Sequence, residues 1–176
     1  MKTCLLYGFI WALAGIFLGL ALYFLGYHSD PAKFATGQMV SSCVGLIIAV
    51  AVLILGIKAR RDEVPASEPF GYGRALGAGT LISLVAVVLN SIFSYVYFTV
   101  INPGFVELMV QNKLDKLQSS GMSSDQMEKT EAGMRMMMSP AMLTVFSVVF
   151  GFIFAFIICL VVAAFLKRPD PKLSPA

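Results

Sequence analysis

Apolar residues run along this chain in long unbroken stretches, neither alternating as in a half-buried strand nor confined to one helical face. Residues 5–27 contain no charged side chain, and 36–57, 75–101 and 140–166 repeat the pattern, with Gln38 near one end of the second stretch. A helix rising about 1.5 Å per residue needs about 20 apolar residues to cross a hydrocarbon core about 30 Å thick. Each stretch therefore predicts a membrane-spanning helix, the longer two with some tilt. Continuous runs exclude a membrane β-barrel, whose strands alternate. The first run reads as a retained helix rather than a cleaved signal: only Lys2 precedes it, and no small-x-small cleavage site comes before His28. Cys4 lies too near the start to be a lipoprotein cysteine.

The segments between the spans carry their own punctuation. Residues 28–35 are too few to do anything but join two antiparallel helices. Residues 58–74 contain Pro65, Pro69, Gly71 and Gly73 and end in Phe70-Gly71-Tyr72-Gly73-Arg74, an aromatic and basic composition suited to a headgroup boundary. Residues 102–139 predict a helical hairpin outside the bilayer. Asn102 reads as a helix N-cap with Pro103 at the first helical position, and Phe105, Leu108, Met109, Leu114 and Leu117 follow at helical spacing. Gly121 stops that helix, and Ser123 with Gln126 forms a capping-box pattern for the next. Asp125 and Glu128 then suit the positive end of the helix dipole. Met127, Met134 and Met138 fall along one stripe before Ser139-Pro140 breaks the chain into the last span. The tail, 167–176, contains three prolines and reads as a short disordered end.

Composition sharpens the class. Only 13% of residues are charged, against about 25% in an average soluble domain. A net charge of +3, scattered along the chain, gives no footprint for nucleic acid. The distribution of Lys and Arg sets an orientation. Lys2, Lys58, Arg60, Arg61, Arg74, Lys167, Arg168 and Lys172 fall on one side, while Lys33, Lys113, Lys116, Lys129 and Arg135 fall on the other, mostly far from a helix end. The richer side is the cytoplasmic one, so both termini are expected in the cytoplasm. The depths of Cys4, Cys43 and Cys159 argue against a disulfide among them.

Inside the bilayer helices associate through close packing and polar contacts, so small residues mark contact faces. Ser147, Gly151, Ala155, Cys159 and Ala163 recur at every fourth position of the last span, and Gly37, Ser41, Gly45 and Ala49 do so in the second. Gly8, Ala12, Gly15 and Gly19 keep one face of the first span small. The other faces of the last span carry Phe146, Phe150, Phe152, Phe154 and Phe156, directed at lipid or at another protein. Asn90 is the one strongly polar side chain at depth, with Ser83, Ser91 and Ser94 on the same span. It serves either as a hydrogen bond to a neighbouring helix or as part of a solute site. No Asp, Glu, Lys, Arg or His lies within any span. Coupled transporters generally place an ionisable group there, and interrupted helices are absent too, which disfavours a secondary transporter.

Chemistry is sparse. His28 is the only histidine, so neither a catalytic triad nor a multi-histidine zinc site can be assembled. Met134, Met138 and His28 lie on the same side and form the one candidate set for Cu(I), to which soft thioethers are suited. Methionine is equally a flexible core filler. No nucleophile is accompanied by a base, no cofactor is implied, and no enzymatic activity is expected.

The stretches Phe70-Gly71-Tyr72-Gly73-Arg74-Ala75, Tyr97-Phe98 with Ile101-Asn102-Pro103-Gly104-Phe105, and Ser139-Pro140 resemble those of a group of bacterial membrane proteins known as domain of unknown function 4199. The resemblance covers nearly the whole chain and implies four spans with a long outer loop between the third and fourth. It implies no activity, and no site residue transfers. The sequence thus predicts an all-α protein in a single membrane domain, 1–176: an integral membrane four-helix bundle with an extracytoplasmic helical hairpin. Its leading functional expectation is a non-enzymatic interaction, accessory or assembly subunit, partnered by another membrane protein or by itself as a homo-oligomer. The alternatives are a channel, carrier or sensor for a small neutral solute and extracytoplasmic copper handling. For packing or for a solute the residues of interest are Asn90, Ser83, Ser94, Gly151 and Ala155.

Overall fold

A computed structural model describes residues 1–119, 121 and 123–168, the side chains of 124, 125 and 127 excepted. It is all-helical: α1 Lys2–Phe24, α2 Pro31–Asp62, α3 Tyr72–Val96, α4 Gly104–Ser119, α5 Ser124–Met137 and α6 Pro140–Leu166. Four helices (α1, α2, α3 with the turn that extends it to Ile101, and α6) are long and apolar enough to cross a membrane. Among the described residues there is no strand, only an isolated bridge between Phe70 and Arg168. Of the methionine stripe expected at Met127, Met134 and Met138, the Met127 side chain lies outside the described ones, and the tail beyond Arg168 lies outside the described residues.

Several boundaries differ by a few residues from the hydrophobic pattern, those of α2 the most, for local reasons. Helix α2 starts at Pro31 rather than at the first apolar run, because the Asp30 carboxylate accepts from the Ala32 N–H at 2.9 Å and Pro31 occupies the first helical position. It continues past the apolar stretch to Asp62, where Arg60 and Arg61 sit in the last turn and complement the dipole. Helix α3 passes into a π-helical turn, Tyr97–Ile101. Asn102, expected to cap α4 with its side chain, instead donates from Nδ2 to the His28 carbonyl at 3.0 Å and to the Tyr97 hydroxyl at 3.2 Å. These donations orient the amide, and its Oδ1, the atom a cap would use, makes no hydrogen bond among the described residues. Ser123 does stand at the N-cap of α5 but makes no capping hydrogen bond through its side chain. Gly121 follows α4 with φ of +86°, a conformation that suits glycine at a helix end.

Helix α3 packs against α1, α2 and α6, and α2 also packs against α1 and α6. The tightest packing is on the side where α1 begins and α6 ends, called here the terminal face. Leu53, Ile57, Ala75, Ile82, Cys159 and Ala163 have essentially no exposure there. Gly79 allows the approach of α6 and α2 to α3: a Cβ at that position would collide with Cys159 Sγ and stand 2.9 Å from Ile57 Cδ1. The Thr3 hydroxyl donates to the Glu63 carboxylate, closing α1 against the end of α2. Arg168, at the start of the supposed loose tail, is pinned: its N–H donates to the Phe70 carbonyl at 2.8 Å and its guanidinium to the carbonyls of Val64, Pro65 and Glu68. On the opposite face, here the loop face, α4 and α5 pack on each other. Arg135 of α5 donates twice to the Glu107 carboxylate of α4, at 2.6 and 2.9 Å.

Candidate functional site

The small-residue stripes do not close along their whole length. Ala49, Ala155, Cys159 and Ala163 are buried, but toward the loop face α2 and α6 leave a cleft of about 580 Å³. Its walls include Ser41, Cys43 and Gly45 of α2, Ser147, Gly151 and Ala155 of α6, and Ala86, Asn90 and Ser91 of α3, with Trp11 of α1 and Phe154 alongside. A Cβ at Gly45 would meet nothing within 4 Å, and one at Gly151 only Val87 Cγ2 at 3.9 Å. These glycines leave space rather than permit contact.

Adjoining it, under α4, is a second cavity of about 310 Å³. Both are lined by Ser41, Asn90 and Ser94, so they adjoin at these three side chains and are called here the recess. The second cavity adds Gln38, His28 and Tyr97, with Phe93, Phe98, Phe105 and Met109 as its aromatic and apolar cover. No Asp, Glu, Lys or Arg lines either part.

Its outer end is built from a fixed aromatic cluster. The His28 ring lies 4.7 Å from that of Phe105, Tyr23 meets Tyr97 edge-on, and Phe98 stacks on Phe105. His28 Nδ1 and the Tyr97 hydroxyl are 2.7 Å apart. That hydroxyl also accepts from Asn102 Nδ2, an arrangement that favours the tautomer in which its own proton goes to His28 Nδ1. The imidazole then carries its own proton on Nε2. Burial lowers the pKa of His28 from its ordinary value, favouring this neutral ring. His28 is 9% exposed and its Nε2 has no hydrogen-bond partner among the described residues.

Asn90 does not bridge helices. Its Nδ2 donates to the Ala86 carbonyl one turn back on its own helix, at 3.0 Å. Its Oδ1 lies against Gly15, where a Cβ would stand 2.7 Å away. That oxygen, the Gln38 amide and the Ser41 and Ser94 hydroxyls make no side-chain hydrogen bond among the described residues. Ser83 is elsewhere, fully buried in the terminal-face core 3.6 Å from Cys159 Sγ. Polar contact between α3 and α6 comes instead from Ser91 and Ser147, whose hydroxyls are 3.2 Å apart. The sequence offered no way to separate Ser91 from Ser94, which lie on nearly the same face.

The three copper candidates are not brought together. Met138 is buried with Val110 and Leu114, and Met134 packs against that cluster, while His28 belongs to the aromatic one. No group of three or more His, Cys, Asp or Glu side chains capable of holding a metal occurs among the described residues. A cavity of about 540 Å³ on the terminal face contains Arg60, Glu63, Glu68 and Arg74. Those charges neutralise one another as Arg60–Glu63 and Arg74–Glu68 pairs, so the recess between α2, α3 and α6 is the better candidate.

No curated protein and no solved structure matches the chain. A sequence model of one family matches residues 6–168, and the chain belongs to that family, described as protein of unknown function (DUF4199).

Proposed function

We propose that this is a non-enzymatic multi-pass membrane protein that binds a small uncharged ligand in the recess, as a carrier or sensor. The observation that carries the reading is the convergence of His28 Nε2, Gln38, Ser41, Asn90 Oδ1 and Ser94 on one cavity without protein partners. These atoms are open to the cavity rather than sealed in the core, so a bound molecule can meet each of them with a hydrogen bond worth about 0.5–1.5 kcal/mol net. The absence of charged lining residues makes that ligand neutral. The proposal includes the topology expected from the sequence: a four-helix bundle in a bacterial inner membrane, both termini cytoplasmic and the α4–α5 hairpin outside. It takes support from the four spans, the side-to-side imbalance of Lys and Arg, and the packing of α4 on α5.

Replacing Asn90 with Leu separates ligand site from packing. Loss of ligand with an unchanged or raised melting temperature supports the site. An Asn90→Leu protein that loses stability and keeps every bound small mass in native mass spectrometry overturns it.

A second reading, the interaction or assembly subunit, draws on α6. Phe150, Phe154 and Phe165 are 63%, 56% and 82% exposed, a face suited to another membrane protein or a second copy as well as to lipid. Native mass spectrometry after gentle extraction tests it: additional subunit masses favour this reading, and a bare monomer removes it.

A further inference from the structure

The recess has a chemical gradient along its length. Under α4 it presents one imidazole N–H, two hydroxyls, one primary amide and one amide oxygen, covered by Phe98 and Phe105. Farther from the loop face it is walled by Leu46, Ala49, Val87, Phe154 and Ile158. That apolar part lies between α2 and α6, where Leu46, Ile47, Phe150 and Phe154 are exposed on the flanks. Such flanks in a membrane face acyl chains, so the cleft opens sideways into the bilayer rather than only into water. Its volume falls within the range of about 300–1,000 Å³ common for small-molecule sites.

A wholly water-soluble solute would match the polar end and leave the apolar cleft unused. An acyl chain alone would leave the polar atoms unpaired. An amphiphile matches both. Its head must be uncharged, since no Lys or Arg is present to meet a phosphate and no carboxylate to meet an ammonium. It must also both donate and accept hydrogen bonds, because the lining supplies donors (His28, Gln38) and an acceptor (Asn90) alongside serine hydroxyls that do either.

Resting on the neutral-ligand reading above, we propose that the recess binds a membrane lipid with an uncharged, hydroxyl-bearing headgroup, the head under α4 against Gln38, Ser41, Asn90 and Ser94 and one chain in the α2–α6 cleft. The lipid enters sideways between the two helices, and the polar end then selects the head. His28 is held by Tyr97 as a donor to that head. Glycerol-headed and single-sugar lipids both satisfy the chemistry.

The chain carries its own reporter, because Trp11 is its only tryptophan and lines the cleft. The experiment places the full-length protein in phosphatidylcholine vesicles containing a few mole per cent of diacylglycerol brominated on its acyl chains, and reads quenching of Trp11. Brominated phosphatidylglycerol in the same amount is the charged-head control. The expected result is saturable quenching by the diacylglycerol and only a weak linear background with the phosphatidylglycerol. Asn90→Leu combined with Ser94→Ala raises the half-saturating mole fraction about tenfold, the consequence of losing one or two hydrogen bonds. Gly151→Leu fills the cleft without touching the polar end, and its quenching falls to background while the helical content stays at the wild-type value. Equal saturable quenching by both lipids, or linear quenching by both, overturns the lipid assignment. If glycerol in solution shifts Trp11 emission while neither lipid saturates, the neutral-ligand reading survives and the lipid assignment does not. If no lipid and no glycerol acts, both fall.

Discussion

At Gly79 a single missing methyl group decides how closely two helices approach. The position is buried, and a Cβ there runs into Cys159 and Ile57. Gly77, on the same helix, is exposed with nothing within 4 Å of a Cβ. Gly79→Ala is therefore expected to destabilise by about 1–3 kcal/mol, the usual result of overpacking a filled core. Gly77→Ala should be neutral or stabilise by up to about 1 kcal/mol through helix propensity and a less flexible unfolded chain. Melting temperatures of the two variants in one detergent check the contrast. His28 gives a pH dependence of definite sign. Burial holds its pKa below the ordinary 6.5, so the unfolded chain takes up the proton first as pH falls. Its contribution to stability is fully present above 6.5 and is lost as pH drops below that through the folded value. The wild-type melting temperature should fall across that window, and His28→Gln should remove that step. A wild-type protein equally stable on both sides of the window contradicts the buried neutral ring.

At the scale of elements, the hydrogen bonds of Asn102 tie the start of α4 to the α1–α2 connection and to the π-helical turn. Asn102→Ala removes both. Each is worth about 0.5–1.5 kcal/mol net, and the loss falls on the docking of α4 rather than on the spans. Amide hydrogen exchange should accelerate in residues 102–119 and leave α1 and α6 unchanged. The α4–α5 pair responds to charge instead. Hydrogen bonding to Arg135 holds the Glu107 carboxyl below its ordinary value of 4.5. That contribution is present above the ordinary value and is lost as pH falls through the lowered one. Arg135→Gln should raise exchange in 124–137 at neutral pH, and added salt should do the same to the wild type, since both partners are exposed.

For the whole molecule, the uneven separation of α2 and α6 is the main architectural fact. They share a core where Leu53 and Ile57 cluster with Cys159 and Ala163, and they part toward the loop face around Gly45 and Gly151, with Ala49 and Ala155 already on the wall of the cleft. Cys43 lies on the open part and is exposed, while Cys4 and Cys159 are buried. In detergent at alkaline pH, a small membrane-permeable reagent such as N-ethylmaleimide should therefore react at no more than one thiol per folded chain, and Cys43→Ser should abolish that reaction. Modification at two or three sites would mean that the terminal-face core is not closed.

The long apolar runs, free of charge and too long for a soluble core, determined by themselves that the chain is helical and has four segments fit to span a membrane. Their uniformity is also why the sequence goes no further. A helix apolar on every side carries no amphipathic stripe to say which face meets a neighbour, and small residues at every fourth position indicate close approach without saying how far along it continues. Only the tertiary structure decided that the α2 and α6 stripes meet over one half and separate over the other. Of the residues the sequence singles out, Asn90, Ser94, Gly151 and Ala155 line the recess and Ser83 does not; the first two are legible because a polar group at depth demands a partner, the other two only as members of a small-residue stripe. Gln38 and His28 were legible only as residues near helix ends, and Tyr97 as punctuation. They converge because the π-helical turn and the placement of α4 bring the loop-face ends of four helices together, a long-range arrangement that no local pattern encodes.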